Sequence, residues 1–172
     1  MIFLVSGKAG SGKSTFAELL SDQLENSLII NYADLVKYVA KEYCGWNGEK
    51  DKTGRALLQE IGTERGRNYV HKDIWVSMVA AIITVLDNRY DNFIIADCRF
   101  PNEIDYWNEY GWEDVYSIRI DRPNYESALT EIQKQHESEI ALDDYGFDYV
   151  IENSGTLEDL NDAATAIIQD IY

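Results

Sequence analysis

The stretch IFLVSGKAGSGKST, residues 2–15, sets four unbroken apolar residues against a loop of three glycines and follows them with a lysine and two hydroxyl side chains. An apolar run without alternation reads as a strand buried on both faces, which belongs at the centre of a sheet covered by helices on each side. Gly7, Gly10 and Gly12 let successive backbone N–H groups turn inward, and the helix expected from residue 13 adds the partial positive charge of its N-terminus. The stretch is therefore a strand, an anion-binding loop and a helix in succession.

The spacing Gly7-x-x-x-x-Gly12-Lys13-Ser14 is that of a P-loop, found here in the strand-to-helix context which that motif requires. In this reading Gly7, Ala9, Gly10, Ser11 and Gly12 present amides to the phosphates of ATP, and Lys13 reaches the β and γ oxygens. Ser14 ligates Mg²⁺, and Thr15 offers a further donor to the α-phosphate.

Working outward, further apolar runs at 28–32, 93–96, 115–120 and 149–152 alternate with helical patterns at 13–24, 34–43, 52–65, 73–86 and 102–110. Helix is also expected somewhere within 125–144 and at 157–171. Strands separated by helices need crossovers, so the class is α/β with a mainly parallel sheet. FIIA at 93–96 is unbroken like IFLV and joins it at the sheet centre. The 73–86 helix is apolar nearly all round, which predicts burial against both the sheet and another element. Thr156 with Asp159 three residues on forms a variant capping box for the last helix.

A chain of 172 residues, 45% apolar and poor in Gly and Pro, has the composition of one globular domain. Its formal net charge of -16 argues against gripping polymeric nucleic acid, which needs many cations to displace phosphate counterions. Cys44 and Cys98 are too few for a disulfide framework and lack metal-ligand spacing. No apolar run approaches the roughly 18 residues of a membrane span, and the apolar start is too short for a signal core, so a soluble cytoplasmic protein is expected.

Where the 15 cations fall is informative. Arg55, Arg65 and Arg67 lie between the second and third strands, Arg99 follows the third, and Arg122 with Lys134 follows the fourth. In a doubly wound sheet such loops share the carboxyl edge with the P-loop, and arginines there suit a second phosphate ester beside ATP. Asp97, at the end of FIIAD, puts a carboxylate beside the P-loop, where it binds Mg²⁺ directly or through water. Pro101 and Asn102 then begin a helix with Glu103 in its first turn. A GTPase would carry a switch DxxG after a second metal-binding strand and an NKxD-type base reader, and a motor ATPase would run longer.

Together GKAGSGKST, YADLVKYVAKEYCG (32–45), LLQEIGTERGRNYVHKDIWV (57–76), IIADCRFPNEID (94–105), IRIDRP (118–123), HESE (136–139) and VIENSGTLEDL (150–160) make the chain resemble the phage-type deoxynucleoside monophosphate kinases, within the adenylate-kinase-like P-loop kinases. The resemblance implies a three-layer P-loop NTPase fold, with a five-stranded parallel sheet flanked by helices. It implies ATP on the P-loop and a monophosphate-binding region at about 32–76, lined by Asp34, Lys37, Arg55, Thr63, Arg67 and Trp75. Asp97, Arg99 and Glu103 would lie between the nucleotides, with Lys13, Arg122, Asp97 and Arg99 carrying the chemistry. Arg122, Lys134 and His136 would belong to a lid at about 122–140, and Asn153 would lie near the adenine.

Two features depart from the family pattern: Lys134 is the lone formal cation between Pro123 and Glu139, and Leu35 stands where relatives often have proline. The expected partners are small nucleotides, a homodimer is compatible with the sequence, and the base and sugar preference are open. Two other functions fit a P-loop of this size: a kinase of the phosphomevalonate or dephospho-coenzyme A type, and a non-catalytic nucleotide-binding regulator.

Overall fold

A computed structural model describes residues 1–123, 125–127 and 129–172. Strands β1 (Ile2–Ser6), β2 (Ser27–Ile29), β3 (Asn92–Cys98), β4 (Val115–Asp121) and β5 (Tyr149–Glu152) form one sheet in the order β2-β3-β1-β4-β5, parallel throughout. The two unbroken apolar runs lie side by side, with Leu4 opposite Ile95, and β4 flanks β1 on its other edge. The chain reverses its winding direction about β1, so the loop that follows β1 lies at the switch point where α/β sheets bind ligands.

Alternate residues of the central strands feed two cores. Phe3, Val5, Ile94, Ala96, Ile118 and Ile120 pack under α1 (Lys13–Gln23) and α8 (Leu157–Ile171). Ile2, Leu4, Phe93 and Ile95 pack under α2 (Tyr32–Cys44), α4 (Ile74–Leu86) and α5 (Pro101–Glu109). On β4 this second face turns polar. Ser117 exchanges hydrogen bonds with Asp148, and Arg119 pairs with Asp121 and Asp143.

Three elements depart from expectation for identifiable reasons. The run at 28–32 becomes strand only to Ile29, and α2 begins at Tyr32. The Asp97 carboxylate takes the amide hydrogens of Tyr32 (3.0 Å) and Ala33 (2.8 Å), and Asn31 with Asp34 closes a capping box, so the chain turns helical earlier. The helix expected over 52–65 is α3 (Lys52–Gln59) running into a π-helical segment, Glu60–Val70. The Trp75 indole N–H donates to the Gly62 carbonyl at 2.8 Å, and Gly66 lies so close to the indole that a Cβ would come within 2.7 Å of Nε1. Finally, α4 is not enclosed all round: Trp75, Val76, Val79, Ala80 and Ile83 are buried, while Met78 and Val85 are 41% and 75% exposed.

Within 125–144 the described residues form two single turns, α6 (Glu131–Lys134) and α7 (Glu137–Ile140). Residues 124 and 128 of the expected lid lie outside the described residues. The Thr156–Asp159 capping box opens α8 as the sequence predicts. Among the described residues no single helix is long and apolar enough to cross a membrane.

Candidate active site

Strand β1 ends at Ser6, and the turn that follows is made by residues whose φ only glycine adopts freely: Gly10 at 80° and Gly12 at 100°. No side chain fits at these positions. A Cβ on Gly10 would enter the Tyr125 ring, one on Gly12 the Asn153 amide, and one on Gly7 the Ile120 carbonyl and Ser11 Oγ. The loop is thus a tight backbone cradle with walls supplied by the ends of β4 and β5.

Lys13, 8% exposed, turns its Nζ back onto the Lys8 carbonyl at 2.8 Å. Burial, reinforced by the Arg99 guanidinium, lowers its pKa to about 8. Ser11 Oγ is buried and has no hydrogen-bond partner among the described residues. A cationic group resting on a neutral carbonyl, an unpaired hydroxyl and a loop amide, that of Ala9, bonded to a carboxylate are donors that suit a phosphate site. Ser14 and Thr15 are exposed at the start of α1.

The cradle holds an anion of the chain's own. Glu139 on α7 accepts from the Ala9 amide (3.0 Å) through one carboxylate oxygen and from Arg99 (2.6 Å) through the other. Asp143 bridges Lys8 (2.9 Å) and Arg119 (3.3 Å) beside it. Arg122 reaches the Gly10 carbonyl at 3.3 Å and lies over the Tyr125 ring, 4.6 Å from its centroid. A cavity of about 880 Å³ opens here between the loop, the ends of β4 and β5 and the two short helices, with Lys8, Arg122, Tyr125 and Lys134 among its lining.

The residues expected around a second ligand are spread over several surroundings. Asp34 and Lys37 pair with each other at 2.7 Å at the start of α2. Arg55 lines a separate cavity of about 380 Å³ together with Lys50, Lys52 and, from α6, Gln133. Thr63 is half-buried on the π-helical segment. Arg67 turns inward: its guanidinium donates to Glu103 (2.9 Å) and Asn102 (2.6 Å) and stacks on Phe100, 3.7 Å from the ring centroid.

Four of the positions named by the resemblance direct their polar groups to the protein itself. Trp75 is 6% exposed with its N–H on Gly62, so it packs the π-helical segment and offers no open face to a base. Glu103 is buried as the capping residue of α5, accepting from the amides of Arg99 and Phe100 and from Arg67, and lies beneath the cleft rather than in it. His136 caps α7 through Nδ1, which accepts the Ser138 amide at 3.2 Å. Asn153 donates its amide to the Ser11 carbonyl at 2.8 Å and so braces the loop. Burial raises Glu103 to about 7 against the pull of Arg67, and raises Asp97 against its two backbone donors.

A model of the deoxynucleotide monophosphate kinase family matches residues 25–164. The chain belongs to that family. The matched span begins after the glycine loop, so the P-loop geometry is support independent of the family match. The deoxynucleoside-5′-monophosphate kinase of Escherichia phage T5 is 36% identical over 88 residues, which are 51% of this chain and 34% of that relative's length. Solved structures with the same fold include the shikimate kinase of Aquifex aeolicus (TM-score 0.56, 16% identity, 99% and 97% of the two chains covered) and the dephospho-CoA kinase of Campylobacter jejuni (0.53, 19%, 99% and 96%). The tunicamycin resistance protein of Deinococcus radiodurans also superposes, at a TM-score of 0.60 and 15% identity over 97% and 94% of the chains.

For a member of the deoxynucleotide monophosphate kinase family, the groups that the sequence did not single out are those tied to the loop from a distance: Arg119, Tyr125, Glu139 and Asp143. Arg119 sits in register with Ser6 on the neighbouring strand, and its inward position on β4 is the one local signal that it faces the site. The two carboxylates gave no signal, because acidic residues in an acidic chain read as solvated surface.

Proposed function

We propose that this protein transfers the γ-phosphoryl group of ATP to the 5′-phosphate of a deoxynucleoside monophosphate, giving the diphosphate. The observation that carries the reading is the glycine cradle with Lys13 and Arg99 converging on it, in a chain whose residues 25–164 match the family. The activity named for the phage T5 relative supports the acceptor class.

The donor side fits a triphosphate, since buried Ser11 Oγ has no partner among the described residues and the Ala9 amide is already bonded to an anion, the Glu139 carboxylate. Mg²⁺, when bound, would neutralise phosphate oxygens; Ser14 and Asp97 are the residues that would hold it, the Asp97 carboxylate also accepting the amides of Tyr32 and Ala33. The acceptor phosphate needs no strong base, since its second pKa is about 6. The chain's task is positioning and charge neutralisation, with Lys13 and Arg122 on the donor side and Arg99 between the ligands. Residues of about 32–76, with Arg55, Lys50 and Lys52 in the smaller cavity, form the acceptor side, and about 122–140 act as the lid that excludes water once both nucleotides are bound.

The test is a coupled assay of ADP release from MgATP against the common ribo- and deoxyribonucleoside monophosphates. One or more deoxynucleotides should stimulate release well above the basal rate. Stimulation by none of them overturns the proposal.

A further inference from the structure

Glu139 is the acidic side chain that the donor site does not account for. Its side chain is 12% exposed, and its carboxylate spans two subsites, one oxygen on the Ala9 amide of the loop and the other on Arg99. The Ser138 carbonyl adds a longer contact to Arg99 at 3.5 Å, and His136 fixes the start of the turn that delivers both. Asp143 holds the same segment to Lys8 and Arg119. The loop thus meets the lid segment through carboxylates that use the donors a nucleotide phosphate needs.

A carboxylate and a phosphate oxygen cannot share one N–H donor without placing two negative charges in contact, and in a partly buried site that repulsion is only weakly screened. We propose that Glu139 is a positioning residue that occupies a donor-phosphate position in the empty enzyme and holds Arg99 back. The triphosphate then displaces it from Ala9 and thereby releases Arg99 toward the acceptor. The inference rests on the P-loop binding a nucleotide, as proposed above, and adds that this binding is an exchange of anions. By linkage, whatever free energy Glu139 contributes to the closed empty state is subtracted from nucleotide affinity.

The measurement is calorimetric affinity for MgADP and for inorganic tripolyphosphate in the intact protein and in Glu139→Gln, with Glu137→Gln as control, since Glu137 is exposed on the same turn. Glutamine keeps the shape and removes the charge. Both probes should bind Glu139→Gln about fivefold or more tighter than the unaltered protein, and Glu137→Gln should bind as the unaltered protein does. Equal or weaker binding in Glu139→Gln, with good binding by the unaltered protein, overturns the exchange and leaves the P-loop reading standing. Failure of both probes to bind any of the three proteins overturns both.

Hydrogen exchange on the unaltered protein gives a readout that needs no variant. MgADP should protect amides of residues 7–14 while loosening those of 136–143. Joint protection of the two segments overturns the proposal.

Discussion

Lys13 shows how a single residue reports the state of the site. Its ammonium rests on a neutral carbonyl under partial burial beside Arg99, and its pKa falls to about 8. A bound phosphate supplies the missing opposite charge and restores the charged form to higher pH. Nucleotide binding above pH 8 must therefore take up a proton, and the Kd for ADP should be flat below about 8 and rise by up to tenfold per pH unit above it. Calorimetry in buffers of different ionisation enthalpy measures that proton directly, and Lys13→Met should abolish both the uptake and the slope. The same variant should lose about a hundredfold or more in turnover without loss of fold.

Glu103 titrates with the opposite consequence for stability. Its folded pKa is raised from 4.5 to about 7, so the folded chain holds a proton that the unfolded chain has already released. That contribution is complete below 4.5 and is lost as pH rises through about 7. Across this window Glu103→Gln should gain stability relative to the unaltered protein, by up to roughly 3 kcal/mol. Urea unfolding at pH 4.5 and 7.5 decides it; a constant difference between the two proteins would place the ionised form, paired with Arg67, as the stable one.

Among elements, the π-helical segment is the one that local sequence hides most completely. The sequence reads as α-helix over 52–65, and nothing within that span announces wider turns or a continuation to Val70. The cause is tertiary: the Trp75 indole needs a carbonyl and finds that of Gly62, while Gly66 lets the backbone lie against the ring. Gly66→Ala places a methyl within 2.7 Å of both the Ile61 carbonyl oxygen and Trp75 Nε1. It should cost about 1–3 kcal/mol in urea unfolding and raise the KM for the acceptor more than for ATP, because Thr63 and Arg67 ride on the displaced segment. The P-loop, by contrast, was legible to the residue, because strand, glycines and helix are contiguous. The capping box of α8 and the Asp97 terminus of β3 were legible for the same reason. What a contiguous motif cannot reveal is how polar groups are spent: Asn153 donates to the Ser11 carbonyl, Glu103 accepts the amides of Arg99 and Phe100, and Trp75 donates to the Gly62 carbonyl.

At the scale of the whole molecule, continuous apolar character put β1 and β3 at the sheet centre, but the outer strand order follows from crossovers that no single segment encodes. Charge is distributed in the same non-local way. The chain carries a formal charge of -16, yet Lys8, Lys13, Arg99, Arg119 and Arg122 gather at one loop, each engaged at short range with carbonyls or carboxylates. An approaching nucleotide meets the net negative field first and the basic cradle only on arrival. The Debye length shrinks from about 30 Å at 0.01 M salt to about 10 Å at 0.1 M, so added salt screens the distant repulsion before it weakens contacts of a few ångströms. Association of MgADP should consequently speed up severalfold across that range, whereas a protein steered by a basic surface would slow. Stopped-flow kinetics with a fluorescent ADP analogue tests this, and a falling rate would mean that the cradle's field reaches beyond the acidic surface that surrounds it.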